Sequence, residues 1–178
     1  MKTNFFLTSL IIVLFSITAN SQITKGNWMV GGDGSFYSFT TERAGYENTH
    51  STSVRINPNI NYFIIDKLAI GIKIGTSFNR YSTSLGVNPV VRYYFLKPNK
   101  MFNLFSEASF GYSKNFSKNI KNYYSNGFTL KTGSVVFLNQ SVGLEFGIEY
   151  IQGEDGLNDN ISKTIIAAFG LQIHLEKK

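Results

Sequence analysis

Strict alternation of apolar and polar residues is the feature that most constrains this chain. From Leu68 to Phe78 every second residue is apolar or threonine, and the residues between them are small or polar and include Lys73. A period of two predicts a β-strand whose two faces meet different environments. Charge on the face that a small soluble barrel would bury indicates the opposite arrangement, with lipid outside and a polar lumen inside.

Eight segments of the chain alternate in this way, although the first strand fits the pattern only loosely. In the fourth and sixth strands, Val90, Val135 and Phe137 fall on the polar side. The predicted strands are 27–39, 53–64, 68–79, 86–96, 101–112, 127–137, 141–151 and 163–175. Each is long enough to cross a bilayer core when tilted, which needs roughly 9–11 residues. Because an unpaired strand edge cannot be hydrated in lipid, the first strand must join the last. The sequence therefore predicts an all-β fold, a closed eight-stranded antiparallel up-and-down transmembrane β-barrel.

The connections between these strands alternate in length. Three are tight turns that contain Asp, Asn or Pro, namely 65–67, 97–100 and 138–140. Three others are predicted to be long polar loops, namely 40–52, 113–126 and 152–162. Short periplasmic turns and long extracellular loops are typical of outer-membrane barrels. The long loops are therefore the candidate surface for an extracellular ligand.

The first 21 residues have the pattern of a secretory signal peptide. A charged start precedes an apolar run from Phe5 to Ile17, and small residues occupy the minus-three and minus-one positions. Such a short run favours a cleaved signal over a spanning helix, which needs roughly 20 residues. We therefore expect residues 1–21 to be removed and 22–178 to form the barrel domain in the outer membrane of a Gram-negative bacterium.

Composition excludes several other classes of protein. The sequence contains no cysteine, so neither a disulfide framework nor a thiolate metal site is possible. The net charge of +6 comes from basic residues spread along the chain, which argues against nucleic-acid binding and favours contact with acidic headgroups. Outer-membrane lipid and lipopolysaccharide are therefore the expected partners of a monomer that uses no cofactor.

Eight charged residues fall on the face that the barrel would turn inward. Their charges sum to zero, since four acidic residues oppose four basic ones: Asp33, Glu107, Glu145, Glu149, Arg55, Lys73, Arg92 and Lys131. Unpaired charges away from bulk water are strongly disfavoured, so we predict a paired network that fills the lumen. The alternative is a narrow channel with open space beside six inward glycines, which are Gly71, Gly75, Gly111, Gly133, Gly143 and Gly147.

Aromatic residues lie near both ends of the predicted strands. Amphipathic rings prefer the level of lipid headgroups, so two aromatic girdles are predicted. The girdle near the short turns contains Trp28, Tyr62, Tyr93, Phe95 and Phe102, and the girdle near the loops contains Phe78, Phe110 and Tyr150. A platform of aromatic rings that binds sugar is the functional alternative.

One group of residues could support catalysis. His50 lies beside Ser51 and near Glu47 in the first predicted loop, where a triad could act on lipid A. Because a flexible loop holds such groups poorly in hydrogen-bonding reach, we assign no catalytic residue, and we assign no metal site. His174, which has no evident partner in the sequence, is predicted to be an ordinary polar residue of the lumen.

Several segments resemble a known family. Residues 58–71 read PNINYFIIDKLAIG and residues 89–95 read PVVRYYF, which look like segments of the small outer-membrane β-barrels of the OmpA/OmpX type, with a porin-like barrel domain. The resemblance spans nearly the whole chain after residue 21. Gly170, Ile173 and Leu175 are similar to the signal that the barrel-assembly machinery reads during insertion, although the terminal position is usually aromatic.

The resemblance implies architecture and location more than activity, because the family shares no catalytic residue. The sequence favours a non-enzymatic barrel with a salt-bridged lumen, which serves as an envelope scaffold or contacts surfaces through its loops. A narrow channel for ions or small solutes is the alternative, and a lipid A-modifying enzyme is less favoured. A secreted barrel that binds a small lipid would need apolar residues inside, whereas Arg55, Lys73 and Glu145 share the inner face.

Overall fold

The chain forms one closed antiparallel barrel, described by a computed structural model for residues 23–41, 49–98, 100–118, 121–156 and 161–176. Its strands are β1 (Trp28–Thr41), β2 (Thr49–Ile65), β3 (Leu68–Asn79), β4 (Ser82–Tyr94), β5 (Phe102–Ser117), β6 (Tyr123–Phe137), β7 (Val142–Asp155) and β8 (Ile161–Leu175). Each strand pairs with its neighbours in sequence, and β1 pairs with β8. The predicted eight-stranded up-and-down barrel is confirmed. Among the described residues no helix is long and apolar enough to cross a membrane.

Strand pairing continues further toward the loops than predicted. β4 begins at Ser82 instead of 86, and pairing enters all three segments that were predicted to be long loops. The segments left between strands at this end are 42–48, 118–122 and 156–160, together with the two residues that join β3 to β4. The alternation fades here because both faces carry polar residues, whereas backbone hydrogen bonding does not require an apolar face. We call this end of the barrel the loop side and the opposite end the turn side.

The turns on the turn side have the expected chemistry. Lys67 adopts a left-handed conformation with φ of 69° in the turn between β2 and β3. In the turn before β7, the Asn139 side chain accepts hydrogen bonds from the backbone N–H groups of Ser141 and Val142, both at 2.8 Å. An Asn side chain that replaces a backbone acceptor in this way stabilises a tight turn.

The register of the strands sets how the barrel closes. Cross-strand partners of Trp28 can be followed through all eight strands to Ile165. In the register between β8 and β1, Trp28 faces Leu175. If this register is extended, Ile165 lies opposite Ser38, which is ten residues after Trp28 on β1. Such a shift tilts the strands against the barrel axis, and an interior of about eight strands is just wide enough for side chains to fill.

The turn-side end of the lumen is apolar, which explains two irregularities in the sequence pattern. Val135 and Phe137 interrupt the alternation of the sixth strand because they face inward and close this end. They belong to a cluster of buried residues that we call the apolar end: Ile23, Met29, Phe63, Ala69, Tyr94, Phe105, Val135 and Phe137. The Ile23 carbonyl accepts a hydrogen bond from the Lys67 backbone N–H at 2.9 Å. The segment before β1 therefore folds beneath the barrel mouth.

Candidate functional site

The lumen has three layers. The apolar end occupies the turn side, buried charges occupy the middle, and a small polar cavity opens toward the loop side. All eight residues predicted for the charge network face the lumen, and seven of them are almost fully buried: Asp33, Lys73, Arg92, Glu107, Lys131, Glu145 and Glu149. The eighth, Arg55, is partly exposed, with 18% of its side chain accessible.

Six of the buried charges form a closed ring of alternating sign, which we call the charge ring: Asp33, Lys73, Glu107, Arg92, Glu145 and Lys131. Each member contacts one oppositely charged member on either side. Because the six residues come from six different strands, the ring ties β1 and β3 through β7 together across the lumen. Such an arrangement pairs every buried charge, which a low-dielectric interior requires.

Five of the six contacts in the charge ring have hydrogen-bond distances, as expected of charge-assisted pairs. The Asp33 carboxylate accepts from Lys73 Nζ at 3.1 Å and from Lys131 Nζ at 2.9 Å. Arg92 Nε donates to Glu107 Oε2 at 2.7 Å. Lys73 also pairs with Glu107, and Arg92 Nη2 donates to Glu145 Oε2 at 3.2 Å.

The ring closes through Lys131, which lies 3.9 Å from Glu145 Oε2. Lys131 Nζ is also 3.7 Å from Glu149 Oε1, and Glu149 Oε2 accepts from Arg55 Nη1 at 3.2 Å. The two remaining charges therefore form a branch that leads from the ring toward the loop side. Four carboxylates and four cations thus share one network whose net charge is zero.

Several neutral residues complete the network, and the sequence pattern did not assign them this role. Asn57 Nδ2 donates to Asp33 Oδ1 at 2.8 Å, and Arg92 Nη1 donates to the Tyr94 hydroxyl at 3.2 Å. The Phe105 ring lies below the Arg92 guanidinium, 4.5 Å from it, which is a cation–π distance. Tyr94 and Phe105 also belong to the apolar end, so the two layers share side chains.

The sequence did contain a signal for part of this network. Arg92 pairs across strands with Glu107, Glu107 with Lys131, and Lys131 with Glu149. Charges of alternating sign on consecutive antiparallel strands stabilise each other when they lie directly opposite. The contacts of Asp33 and Glu145 across the lumen have no such signal, since they depend on how the barrel closes.

The six inward glycines do not leave the open space that a channel would need. A Cβ atom added at any of them would lie within 3 Å of another atom. The neighbour is Asn88 at Gly75 and Gly111, and a Lys131 methylene at Gly147. The space beside Gly71, Gly133, Gly143 and Gly147 is therefore occupied, and these glycines allow other side chains and strands to approach closely. Gly75 and Gly111 are in close contact with Asn88 but also line the polar cavity described next.

Above the charged layer lies a polar cavity of about 250 Å³, which we call the vestibule. Its walls are mainly serine, threonine, asparagine and glycine, and among the described residues Arg55 is the only charged one that lines it. It begins where large inward side chains give way to small ones. Hydrogen bonds such as that between Ser113 and Ser125, at 2.8 Å, join adjacent strands of its wall.

The predicted girdle residues lie on the outer surface. Trp28, Tyr93, Phe95, Phe102, Phe78 and Phe110 are each at least two-fifths exposed. Trp28 packs against Tyr62 with ring centroids 5.0 Å apart, and Tyr150 packs against Phe128 at 5.9 Å. Of the residues predicted for the assembly signal, Gly170 faces inward beside Glu145, while Ile173 and Leu175 face outward.

The structure places His50 differently from its prediction and shows which side chains surround His174 inside the barrel. His50 is not in a loop, since it lies in β2 opposite Thr40, and Glu47 lies outside the described residues. His174 has neighbours that the sequence did not reveal. Its buried ring lies 5.3 Å from that of Phe137 and 5.9 Å from that of Phe63. It is therefore part of the aromatic packing at the turn side, because shear brings these three strands together there.

Comparisons with known proteins support the fold. No protein-family model matches the sequence, and no curated protein matches it. Among solved structures, the N-terminal β-barrel domain of Pseudomonas aeruginosa OprF has a TM-score of 0.62 at 11% identity, covering 85% of this chain and 98% of that chain. Neisserial surface protein A has a TM-score of 0.56 at 12% identity, covering 86% and 98%.

The outer membrane protein OprG from Pseudomonas aeruginosa is a third similar structure, with a TM-score of 0.53 at 11% identity, covering 89% of this chain and all of that chain. The fold and the filled, charged lumen define a small eight-stranded barrel of the type found in outer-membrane proteins. The chain has the fold of the OmpA/OmpX-type barrels, as its sequence resemblance indicated.

Proposed function

We propose that this chain is an integral outer-membrane β-barrel without enzymatic activity, whose closed lumen makes it an envelope scaffold or a surface-contact protein. The observation that carries this proposal is the charge ring, which seals a barrel whose outer surface is apolar. A protein that must resist leakage needs such a plug, whereas a solute channel needs a continuous aqueous path.

The outer surface supports membrane insertion. Outward residues such as Ile72, Phe146 and Leu171 are exposed on the wall of the barrel, although they are strongly apolar. A soluble protein rarely exposes a contiguous apolar surface that encircles the molecule. Aromatic residues border this surface at both ends, as in known transmembrane barrels.

The filled lumen favours a scaffold over a narrow channel. An ion that crossed the barrel would have to break the paired contacts of the charge ring and then displace the rings of Phe63, Phe137 and Tyr94, all fully buried. Both steps are costly, because breaking one buried ion pair costs about 3–5 kcal/mol.

The loop-side rim supports contacts outside the cell. Lys114 lies on the outer surface, 5.3 Å from the Phe116 ring centroid and 5.7 Å from that of Tyr124. A cation among aromatic rings just beyond the apolar surface is suited to the acidic headgroups of lipopolysaccharide. The name of Neisserial surface protein A agrees with a role at the cell surface.

Two measurements on the refolded full chain test this proposal. Samples that are not boiled should migrate differently from boiled ones on a denaturing gel, because a closed barrel stays folded in detergent. The same folded protein should give no discrete conductance steps in a planar lipid bilayer. Reproducible steps from protein with the folded mobility would overturn the scaffold proposal and establish a channel, while a soluble protein that does not associate with membranes would refute the barrel's location.

A further inference from the structure

Strand pairing is incomplete at the junction of the first and last strands of the barrel. Pairing between β1 and β8 covers Trp28–Gly34 and Phe169–Leu175 and ends there. Both strands continue toward the loop side, where β1 pairs with β2 as far as Thr41 and β8 pairs with β7 from Ile161. We call the part of this junction beyond Gly34 and Phe169 the seam.

The seam starts within the level of the lipid-facing surface. Phe36, two residues beyond the last pair, lies in the same cross-strand row as Val54 and the girdle residue Phe78. The seam therefore faces the outer part of the membrane as well as the space above it. Strand edges that meet hydrocarbon without partners are disfavoured by several kcal/mol per group, so the part of the seam at this level is less stable than the fully paired junctions of the barrel.

The vestibule reaches the seam from inside. Its walls include Tyr37 on β1 and Thr164 on β8, the two strands whose mutual pairing ends at Gly34 and Phe169. On the outside the seam is flanked by Phe36 and Ile165, which are 70% and 71% exposed, the highest values among the large apolar side chains described. A polar cavity and an apolar surface thus lie on the two sides of the junction where the pairing of β1 with β8 ends.

We propose that the seam is a lateral portal through which a single-chain anionic amphiphile of the fatty-acid type occupies the vestibule from the outer leaflet. Its carboxylate would lie among serine and asparagine side chains near Arg55, the only charged residue among the described residues that line the cavity. It would share the Arg55 guanidinium with Glu149. Its hydrocarbon chain would pass between Phe36 and Ile165 into the lipid. This inference rests on the proposed location in a membrane.

The volume of the vestibule suits a ligand with one small head group. A cavity of about 250 Å³ corresponds to about eight water molecules at about 30 Å³ each. This space accommodates a carboxylate and the first methylenes of one chain.

Disulfide trapping tests the seam directly, because the chain has no cysteine of its own. One double variant, Phe36→Cys with Ala167→Cys, places thiols at positions that a continued register would pair. The matched control, Val30→Cys with Ile173→Cys, lies inside the paired region on the same strands. A disulfide needs Cα atoms within about 7 Å. We therefore expect the seam variant to oxidise at least about tenfold more slowly than the control. Equal rates would show that the seam is closed and overturn the portal.

Ligand binding tests the occupant, with a fluorescent sixteen-carbon fatty acid titrated into the folded protein in lipid nanodiscs. We expect saturable binding that Arg55→Gln weakens about tenfold, through loss of one charge-assisted hydrogen bond. Lys163→Gln, an exposed lysine on β8, is the control and should leave the affinity unchanged. Absence of saturable binding, or equal effects of both variants, would overturn the proposed occupant.

These results remain distinguishable from failure of the proposed function. If the protein lacks the heat-dependent gel mobility of a folded barrel, the membrane proposal itself fails. If that mobility is present but the cysteine pairs oxidise alike, the barrel stands and only the portal is wrong.

Discussion

Replacing Glu145 with glutamine is the sharpest test of the charge ring. Glu145 is buried and lies between two cations, Arg92 and Lys131. Glutamine has nearly the same shape, so the substitution removes the charge without opening a cavity. It leaves the buried network with a net charge of +1 and interrupts the ring at this position.

The expected loss of stability follows from these contacts. Removing one partner of a buried ion pair costs about 3–5 kcal/mol. The glutamine oxygen can still accept one hydrogen bond from Arg92, and Arg92 keeps Glu107 as a partner. We therefore expect the free energy of unfolding to fall by about 3 kcal/mol, at the lower end of that range. Ion conductance should not rise, because the side chains that fill the lumen remain.

Urea unfolding in detergent or lipid can measure this change, followed by the fluorescence of Trp28, the only tryptophan. Glu154→Gln is a suitable control because it neutralises an exposed carboxylate on the same strand and should change stability by less than about 0.5 kcal/mol. If Glu145→Gln costs no more than Glu154→Gln, the ring does not stabilise the barrel. If conductance rises sharply while folding is unchanged, the charges serve permeation instead.

Three further predictions concern packing and the membrane boundary. Gly133→Ala should destabilise the barrel by about 1–3 kcal/mol in urea unfolding, because the new Cβ would contact the backbone of β7. The control, Gly153→Ala, should be tolerated because its nearest neighbours lie at 3.6 Å. Equal losses of stability in the two variants would contradict this reasoning. Phe137→Ala should cost about 3–5 kcal/mol because it empties the apolar end, and Phe110→Ala on the outer surface should cost much less; similar losses would mean that the apolar end is not closely packed. Trp28 fluorescence should be quenched more by lipids brominated near the headgroup than by lipids brominated at the chain ends, and the reverse order would place Trp28 away from the headgroup level.

Much of the architecture could be predicted from local patterns. Each strand carries its own alternation, so the inner and outer faces of β2, β3 and β7 could be assigned without knowing their neighbours. The strand ends could not be predicted in the same way. At Thr49 and Ser82 both faces of a strand carry polar residues, and hydrogen bonding to the partner strand continues where the pattern stops.

The role of irregular positions also required the structure. Val135 and Phe137 contradict a uniformly polar lumen, and His174 has no neighbour in sequence that explains it. These residues meet because the barrel closes with a shift of ten residues, which brings β6 and β8 together with Phe63 of β2 at the turn side. No single strand contains that information.

The sequence alone determined that the chain has eight two-faced strands and a lumen whose charges balance, because alternation and composition are properties of each strand. Only the tertiary structure decided which carboxylate meets which cation, where the apolar end closes the barrel, and where the pairing of β1 with β8 ends. These features depend on register and closure, and a shift of one residue in pairing would turn every side chain of a strand to the opposite face.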